Sequence, residues 1–274
     1  VRVAEEADRG NWDRYVLNHD SGTAYQLFGW GEAIRRGYGF IALNLLAESG
    51  GRICGVFPAI NFRLPVFGEK ILSLPYCDAG GVLADDVSVA KMLLDEVLSV
   101  AEKRRSRCLI RSNISLPVAC ENTTDKVRMV LELPGSAEKL LAGLKSKLRS
   151  QVKKPMRDGL RATIGSEELF GDFFHVFEEN MRNLGSPVHS REFIRAVLSE
   201  YGKRARIGLV YTPDGVPSAA GIMLIHSKTV SIPWASSLRR YNSLNPNMLL
   251  YWTFLAFAAD NGYHDLANGL NQHV

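Results

Sequence analysis

Cysteine is scarce. The 274 residues hold four (Cys54, Cys77, Cys108 and Cys120), widely spaced, with no C-x-x-C pair and no histidine pair nearby. That pattern argues against a structural zinc site or a disulfide framework and fits a reduced, cytoplasmic chain. Long apolar runs are missing too. The longest, from Met248 to Ala259, falls short of the ~20 residues that cross a bilayer. Arg2, Glu5, Glu6, Asp8 and Arg9 stand where the apolar part of a signal peptide would be. The first residue is Val, which suggests a trimmed start. Strong charge is absent: the net charge is +4, too mild by itself to imply nucleic acid. The sequence has no G-x-x-x-x-G-K-[ST] loop, G-x-G-x-x-G turn, G-x-S-x-G elbow or H-E-x-x-H pair. Nothing therefore points to a P-loop, a nicotinamide cofactor, a serine-hydrolase triad or a metal.

What is present is an ordinary globular composition, 46% hydrophobic and 23% charged, of a length that suits one large domain or two small ones. Two short amphipathic segments come first, around Trp12, Tyr15 and Val16 and around Phe28, Trp30, Ala33 and Ile34. Strand-like runs at 43–47 and 53–60 flank Gly50-Gly51 and predict a hairpin. A strand at 70–75, a helix at 87–105 with apolar residues at 89, 92, 93, 97 and 100, and a short strand at 108–111 follow. The second half repeats this order. Helices are predicted at 169–183 and 190–201, and a hairpin at 207–211 and 219–225. A strand at 229–235, a helix at 248–261 ending at Gly262, and a last strand at 263–266 complete it. The repeat is one of pattern, with little residue identity. It predicts an α/β (α+β) fold of two similar modules rather than one wound sheet.

Between the halves, a strand at 127–133 ends at Pro134-Gly135, and Ser136 is placed to cap a helix. Leu140, Leu144, Leu148 and Val152 make its apolar stripe. Lys145, Lys147, Arg149, Lys153, Lys154, Arg157 and Arg161 lie off that stripe, with Asp158 the one acid among them, and Pro155 is expected to end or kink the helix near Lys154. Cations at i,i+4 repel one another, and phosphates of a bound partner would relieve that repulsion. A solvated basic face is the plainer reading of the same run. A second concentration of polar groups runs from Trp234 to Asn247, between a strand and a helix. Loops held by rigid elements in this way often bear function, and helix N-termini attract anions. A third segment, Met181 to His189, brings Arg182 and His189 to a chain reversal. His189 is a candidate acceptor for the proton of an attacking amine.

The stretch from Leu144 to Pro155, followed by Gly159-Leu160, resembles the helix that joins the halves of FemAB-type proteins. So do 180–189, 235–242 and 246–252 in the second half, and Trp12–Val16, Gly29-Trp30 and 74–81 in the first. The resemblance covers nearly the whole chain. It is nearest to the branch associated with PEP-CTERM/exosortase exopolysaccharide clusters. It implies two tandem GNAT-like modules joined by a basic helix: 1–133, a connector at 134–159, and 160–274. It also implies acyl or aminoacyl transfer onto an amine by direct attack. Such transfer needs a positioned donor, a positioned amine and hydrogen bonds to the tetrahedral oxyanion, and no metal.

On that resemblance Lys147, Arg149, Lys153 and Lys154 hold phosphate. Arg182, Ser236, Ser237, Arg239, Asn242 and Asn247 line the acceptor pocket, supported by Tyr251, and His189 is the base. No cofactor is expected to be tightly bound. The donor is an aminoacyl-tRNA or an acyl-CoA or carrier thioester, the acceptor is a cell-envelope or exopolysaccharide precursor, and DNA is not a partner. The Q/R-x-x-G-x-G/A loop of acetyl-CoA users is not visible in either half, which weighs against simple CoA-dependent acetylation. Two other readings remain: a non-catalytic phosphate-, tRNA- or polyanion-binding protein, and an acetyl-CoA-dependent N-acetyltransferase. In place of the family's Phe-Asp-Phe-Gly-Arg-Ser-like strand the chain has Tyr263 to Gly269. The second module is therefore expected to lack closing strands and to leave sheet edges bare.

Overall fold

The computed structural model describes all residues except 65–67, 113–114, 122–126 and 271–274. The last four positions of the expected second module thus lie outside the described residues. The described residues form two compact units, 1–128 and 129–270.

In the first unit, β1 (Arg2–Val3), β2 (Ile41–Ala42), β3 (Leu45–Ser49), β4 (Arg52–Phe57), β5 (Ile60–Leu64), β6 (Gly68–Leu72), β7 (Leu83–Ala84) and β8 (Arg107–Leu109) form two four-stranded sheets. Their orders are β1-β3-β4-β7 and β2-β5-β6-β8. The β6–β8 pair is parallel and the others are antiparallel. The β3–β4 hairpin turns at Gly50-Gly51, both at positive φ, where glycine carries no steric penalty. Helix α1 (Arg9–Asn18) buries Trp12 and Val16, and the Trp12 indole donates to Gln26 O at 2.8 Å. Asp13 of α1 accepts the Phe28 N–H at 2.8 Å and so anchors the start of α2 (Phe28–Tyr38).

Helix α3 (Val87–Lys103) is capped by Asp86, which accepts from Val89 N. It buries Ala90, Leu93, Leu94, Val97 and Ala101, while Met92 is exposed. The buried stripe is thus rotated by about one residue from the sequence expectation. The rotation lets α3 settle on Gly55 of β4, where an added Cβ would meet Val89 at 2.7 Å and Leu93 at 2.9 Å.

The second unit is one six-stranded sheet, β10-β11-β12-β13-β14-β9. Its strands are β9 (Val127–Glu132), β10 (Arg161–Gly165), β11 (Ala205–Tyr211), β12 (Pro217–His226), β13 (Thr229–Ser237) and β14 (Asp265–Leu270). Pairing is antiparallel from β10 to β13 and parallel for β13–β14. The sheet is open, with β10 and β9 as its edge strands, so β14 is not itself an edge. The flank of β14 away from β13 is taken by β9, and Leu133 N donates to His264 O at 2.6 Å just beyond that strand. The strand assigned to the first module by sequence therefore serves the second sheet. Pairing its backbone groups there satisfies them better than solvent at a loop would.

The single basic helix expected from 136 onward is two helices, α4 (Ala137–Gly143) and α5 (Ser146–Arg157). Leu144 and Lys145 between them are extended. Ser136 caps α4 as expected, and Asp260 also accepts from Ala137 N at 2.7 Å. The break lets Leu140 and Val152 both reach the same core. Pro155 does not end α5, which continues to Arg157. Proline removes a donor in the last turn only, and Pro155 is itself buried. Both basic-segment helices pack into the core of the second unit through Leu140, Leu144 and Val152.

Helices α6 (Phe170–Leu184), α7 (Arg191–Tyr201) and α8 (Pro246–Asp260) complete the unit. Helix α8 approaches the sheet over Gly208 and Gly221, which face each other across β11 and β12. A Cβ on Gly208 would lie 2.6 Å from the Phe254 ring, and one on Gly221 would lie 2.9 Å from it. Two facing glycines thus make the notch that seats Phe254, as Gly55 does for α3. Close helix–sheet approach sets where the turn that leads into α8 is held.

Candidate functional site

The turn between β13 and α8 is a run of 3-10 helix, Arg239–Leu244. Asn245 ends it in the left-handed region, at φ 55, a conformation asparagine tolerates better than most residues. Pro246 opens α8, where its missing N–H costs nothing. On β13, Val230, Ile232, Trp234 and Ser236 point into the protein. β13 runs on to Ser237, and its second half, leading to the turn, pairs with β12 through Ala235, Ser236 and Ser237.

Three elements converge on this turn. From α6, Asn180 donates through Nδ2 to the buried Ser236 Oγ at 3.1 Å. Also from α6, Glu179 pairs with Arg240, and the Arg240 guanidinium lies 5.0 Å from the centre of the Tyr241 ring. From α5, Lys154 donates through Nζ to Ser243 O at 3.2 Å and to Asp158 at 2.5 Å. The basic helix and the Ser/Arg/Asn turn thus meet within the second unit, through Lys154. Lys147 and Lys153 are exposed and Arg149 is half-buried. Among the described residues none of these three has a hydrogen-bonded or ion-paired partner, and none is brought to the turn by a hydrogen bond.

Of the other expected site residues, Arg239, Asn242 and Asn247 are exposed, and Ser237 and Tyr251 are half-buried. Arg182 is exposed at the end of α6, 3.8 Å from Glu178, which Arg191 also approaches at 3.8 Å. His189 is packed among aromatic rings. Its ring lies 6.3 Å from Phe177, 5.3 Å from Phe193 and 5.8 Å from Trp234, centre to centre. Desolvation by these aromatics pushes its pKa down to about 4. At neutral pH the imidazole is uncharged and a weak base, far from the near-neutral pKa that suits general-base work.

Sequence reasoning missed Glu178 and Glu179 of α6, and placed Asn180 in the family-like segment without giving it a role. The signal was available: Glu-Glu-Asn immediately precedes the Met181–His189 segment, off the phenylalanine stripe of the same helix. It also missed Tyr211, whose hydroxyl donates to Asp172 at 2.6 Å. Desolvation first, then Asp172, raises the Tyr211 pKa to about 12. Among the described residues no group of three His, Cys, Asp or Glu side chains could hold a metal ion. Nor is any described helix long and apolar enough to cross a membrane.

Residues 145–272, just under half of the chain, match the family model described as "Acetyltransferase (GNAT) domain". The structure is similar over its whole length to that of FemX, at 11% identity and a TM-score of 0.73, covering 90% of that chain. It is also similar to a tandem GNAT protein from the clavulanic acid biosynthesis pathway: 11% identity, TM-score 0.56, 100% of this chain and 89% of that one. The fold is tandem GNAT-like. A third similar structure is the C-terminal DUF2156 domain of a lysylphosphatidylglycerol synthetase candidate from Agrobacterium fabrum. It has 12% identity and a TM-score of 0.59, with 96% of this chain and 78% of that one covered. Among curated proteins no sequence match is found. The GNAT model begins at Lys145, at the head of α5, so it takes in α5, five of the six strands and the turn, and leaves out β9.

Proposed function

We propose that this chain is an acyltransferase that passes an activated acyl or aminoacyl group to an amine by direct attack, at the β13–α8 turn of the second unit. The observation that carries the reading is the meeting of α5, α6 and β13 at that turn. Lys154, Arg240, Asn180 and Ser236 are held there by named bonds, and Arg239 beside them is exposed without an ion pair among the described residues. Lys154 and Arg239 offer charge to a phosphorylated donor, and the polar turn offers donors to a developing oxyanion. The names of the similar structures, FemX and a lysylphosphatidylglycerol synthetase candidate, favour an aminoacyl donor and a cell-envelope acceptor. An exopolysaccharide precursor is the alternative acceptor.

A second reading, acetyl-CoA-dependent N-acetylation, is favoured by the description of the matching family model. The two separate in one experiment. The protein is incubated with a mixed aminoacyl-tRNA pool or with an acyl-CoA pool, each with amine acceptors, and the products are read by mass spectrometry. Consumption of aminoacyl-tRNA supports the first reading and consumption of acetyl-CoA the second. Arg239→Ala is expected to lose most of the transfer at an unchanged melting temperature. Salt-dependent binding with no transfer from either pool would leave a polyanion-binding protein of this fold.

A further inference from the structure

The first unit contains a cavity of about 680 Å³ between α1, the β3–β4 hairpin and Asp85. Its size falls in the range of sites for small molecules. The helix face that borders it is polar throughout. Trp12 and Val16 do the packing of α1, while Arg14, Tyr15, Asn18 and then His19 line the cavity. Arg52, at the start of β4, lines the same cavity.

The floor is fixed by hydrogen bonds. The Tyr15 hydroxyl sits 2.9 Å from Asp85 Oδ1 and 3.0 Å from Cys54 O, so its single proton is committed to these acceptors. Ser21 N donates to His19 Nδ1 at 3.1 Å, which leaves Nε2 to donate to Ala84 O at 3.2 Å. That pair of bonds suits the tautomer that carries its proton on Nε2.

The walls are not balanced in the same way. Glu48, the other carboxylate lining the cavity, is taken by Arg2 at 3.1 Å. Arg14 is bonded only to the neutral Asn11 oxygen, at 3.2 Å, and Arg52 has no hydrogen-bonded or ion-paired partner among the described residues. Two exposed guanidinium groups from separate segments, neither ion-paired among the described residues, therefore border one open cavity. Arginine pairs best with planar or tetrahedral oxyanions, through paired N–H donors.

We propose that this cavity binds a metabolite-sized oxyanion, a phosphate monoester or a carboxylate, clamped between Arg14 and Arg52 over the Tyr15–Asp85 floor. The site lies wholly within the first unit and stands whether or not the second unit transfers acyl groups.

The test titrates the full chain with inorganic phosphate, glucose 6-phosphate and succinate at constant ionic strength, following heat and backbone amide shifts. Saturable binding of at least one of the three is expected, with shifts centred on Tyr15, Asn18 and Arg52. The phosphate and carboxylate arms tell which oxyanion is preferred. Loss of one charged hydrogen-bonding partner weakens binding by about tenfold or more, so Arg52→Gln should do so at an unchanged melting temperature. Arg14→Gln should give a similar loss independently. No saturable binding of any of the three overturns the proposal. So does binding that both variants leave intact.

Discussion

The environment of His189 makes a prediction that bears on both stability and chemistry. Its ring is enclosed by Phe177, Phe193 and Trp234, and desolvation lowers its pKa from 6.5 to about 4. The unfolded chain keeps the higher value, so between these two limits the unfolded state binds the proton that the folded state refuses. Stability is therefore complete above about pH 6.5 and declines as the pH falls toward 4. Each tenfold difference in proton affinity is worth about 1.4 kcal/mol, which sets a ceiling of roughly 3 kcal/mol for the full interval and roughly 2 kcal/mol at pH 5. The ring is half-buried, so solvent screening brings the expected loss at pH 5 to about 1 kcal/mol.

His189→Phe keeps an aromatic ring in the enclosure and removes the titration. Denaturant unfolding of both proteins near pH 7 and near pH 5 should show the wild type losing more stability than the variant, by that amount. Carboxylate titration is common to both and cancels. A ring that titrates near 6.5 by NMR, or equal losses in the two proteins, would refute the desolvation argument. It would also restore His189 as a conventional base.

Gly208→Ala should lower stability by about 1–3 kcal/mol, because its Cβ would enter the space of the Phe254 ring; thermal melts check this, and Phe254→Leu in the same background should recover part of the loss. Asp260→Ala removes the side chain that accepts from Ala137 N and should cost about 1 kcal/mol, as lost helix caps do, read by denaturant midpoint. The Arg240–Glu179 pair is partly exposed, 46% and 25%, so a double-mutant cycle on stability should return a coupling of about 1 kcal/mol or less. Lys154→Ala should weaken transfer from a phosphorylated donor more than it lowers the melting temperature, because Lys154 reaches the turn from the basic helix.

Much of the fold can be read from local pattern. Gly50-Gly51 marks a hairpin, the Phe170–Phe177 stripe marks the buried face of α6, and Asn245-Pro246 marks the start of α8. Period and turn chemistry are local, so they survive in a single sequence. Non-local choices do not. The pairing of β9 beside β14 depends on strands more than a hundred residues apart. The break at Leu144-Lys145 has a local signal in Gly143, the last residue of α4, but the core that both helices share is not visible in the sequence.

The candidate site follows the same rule. The Trp234–Asn247 turn stands out by composition, and Lys154 by charge. Asn180 and Glu179 matter through what they meet across 56 and 61 residues of sequence. The oxyanion cavity joins α1, a hairpin turn and Asp85, residues no linear motif connects. His189 shows the converse: its residue type suggests a base near neutrality, while aromatic neighbours set by the fold desolvate the ring and lower its pKa.

Whether the turn at Arg239–Leu244 receives an activated acyl group and hands it to nitrogen is tested most directly by a single-turnover assay. Labelled aminoacyl-tRNA and labelled acetyl-CoA are each offered, with an amine acceptor, to the full chain and to Arg239→Ala. The predicted result is label on an amine product with the wild type and its loss with a folded variant. Label transfer of equal rate in both proteins would contradict it.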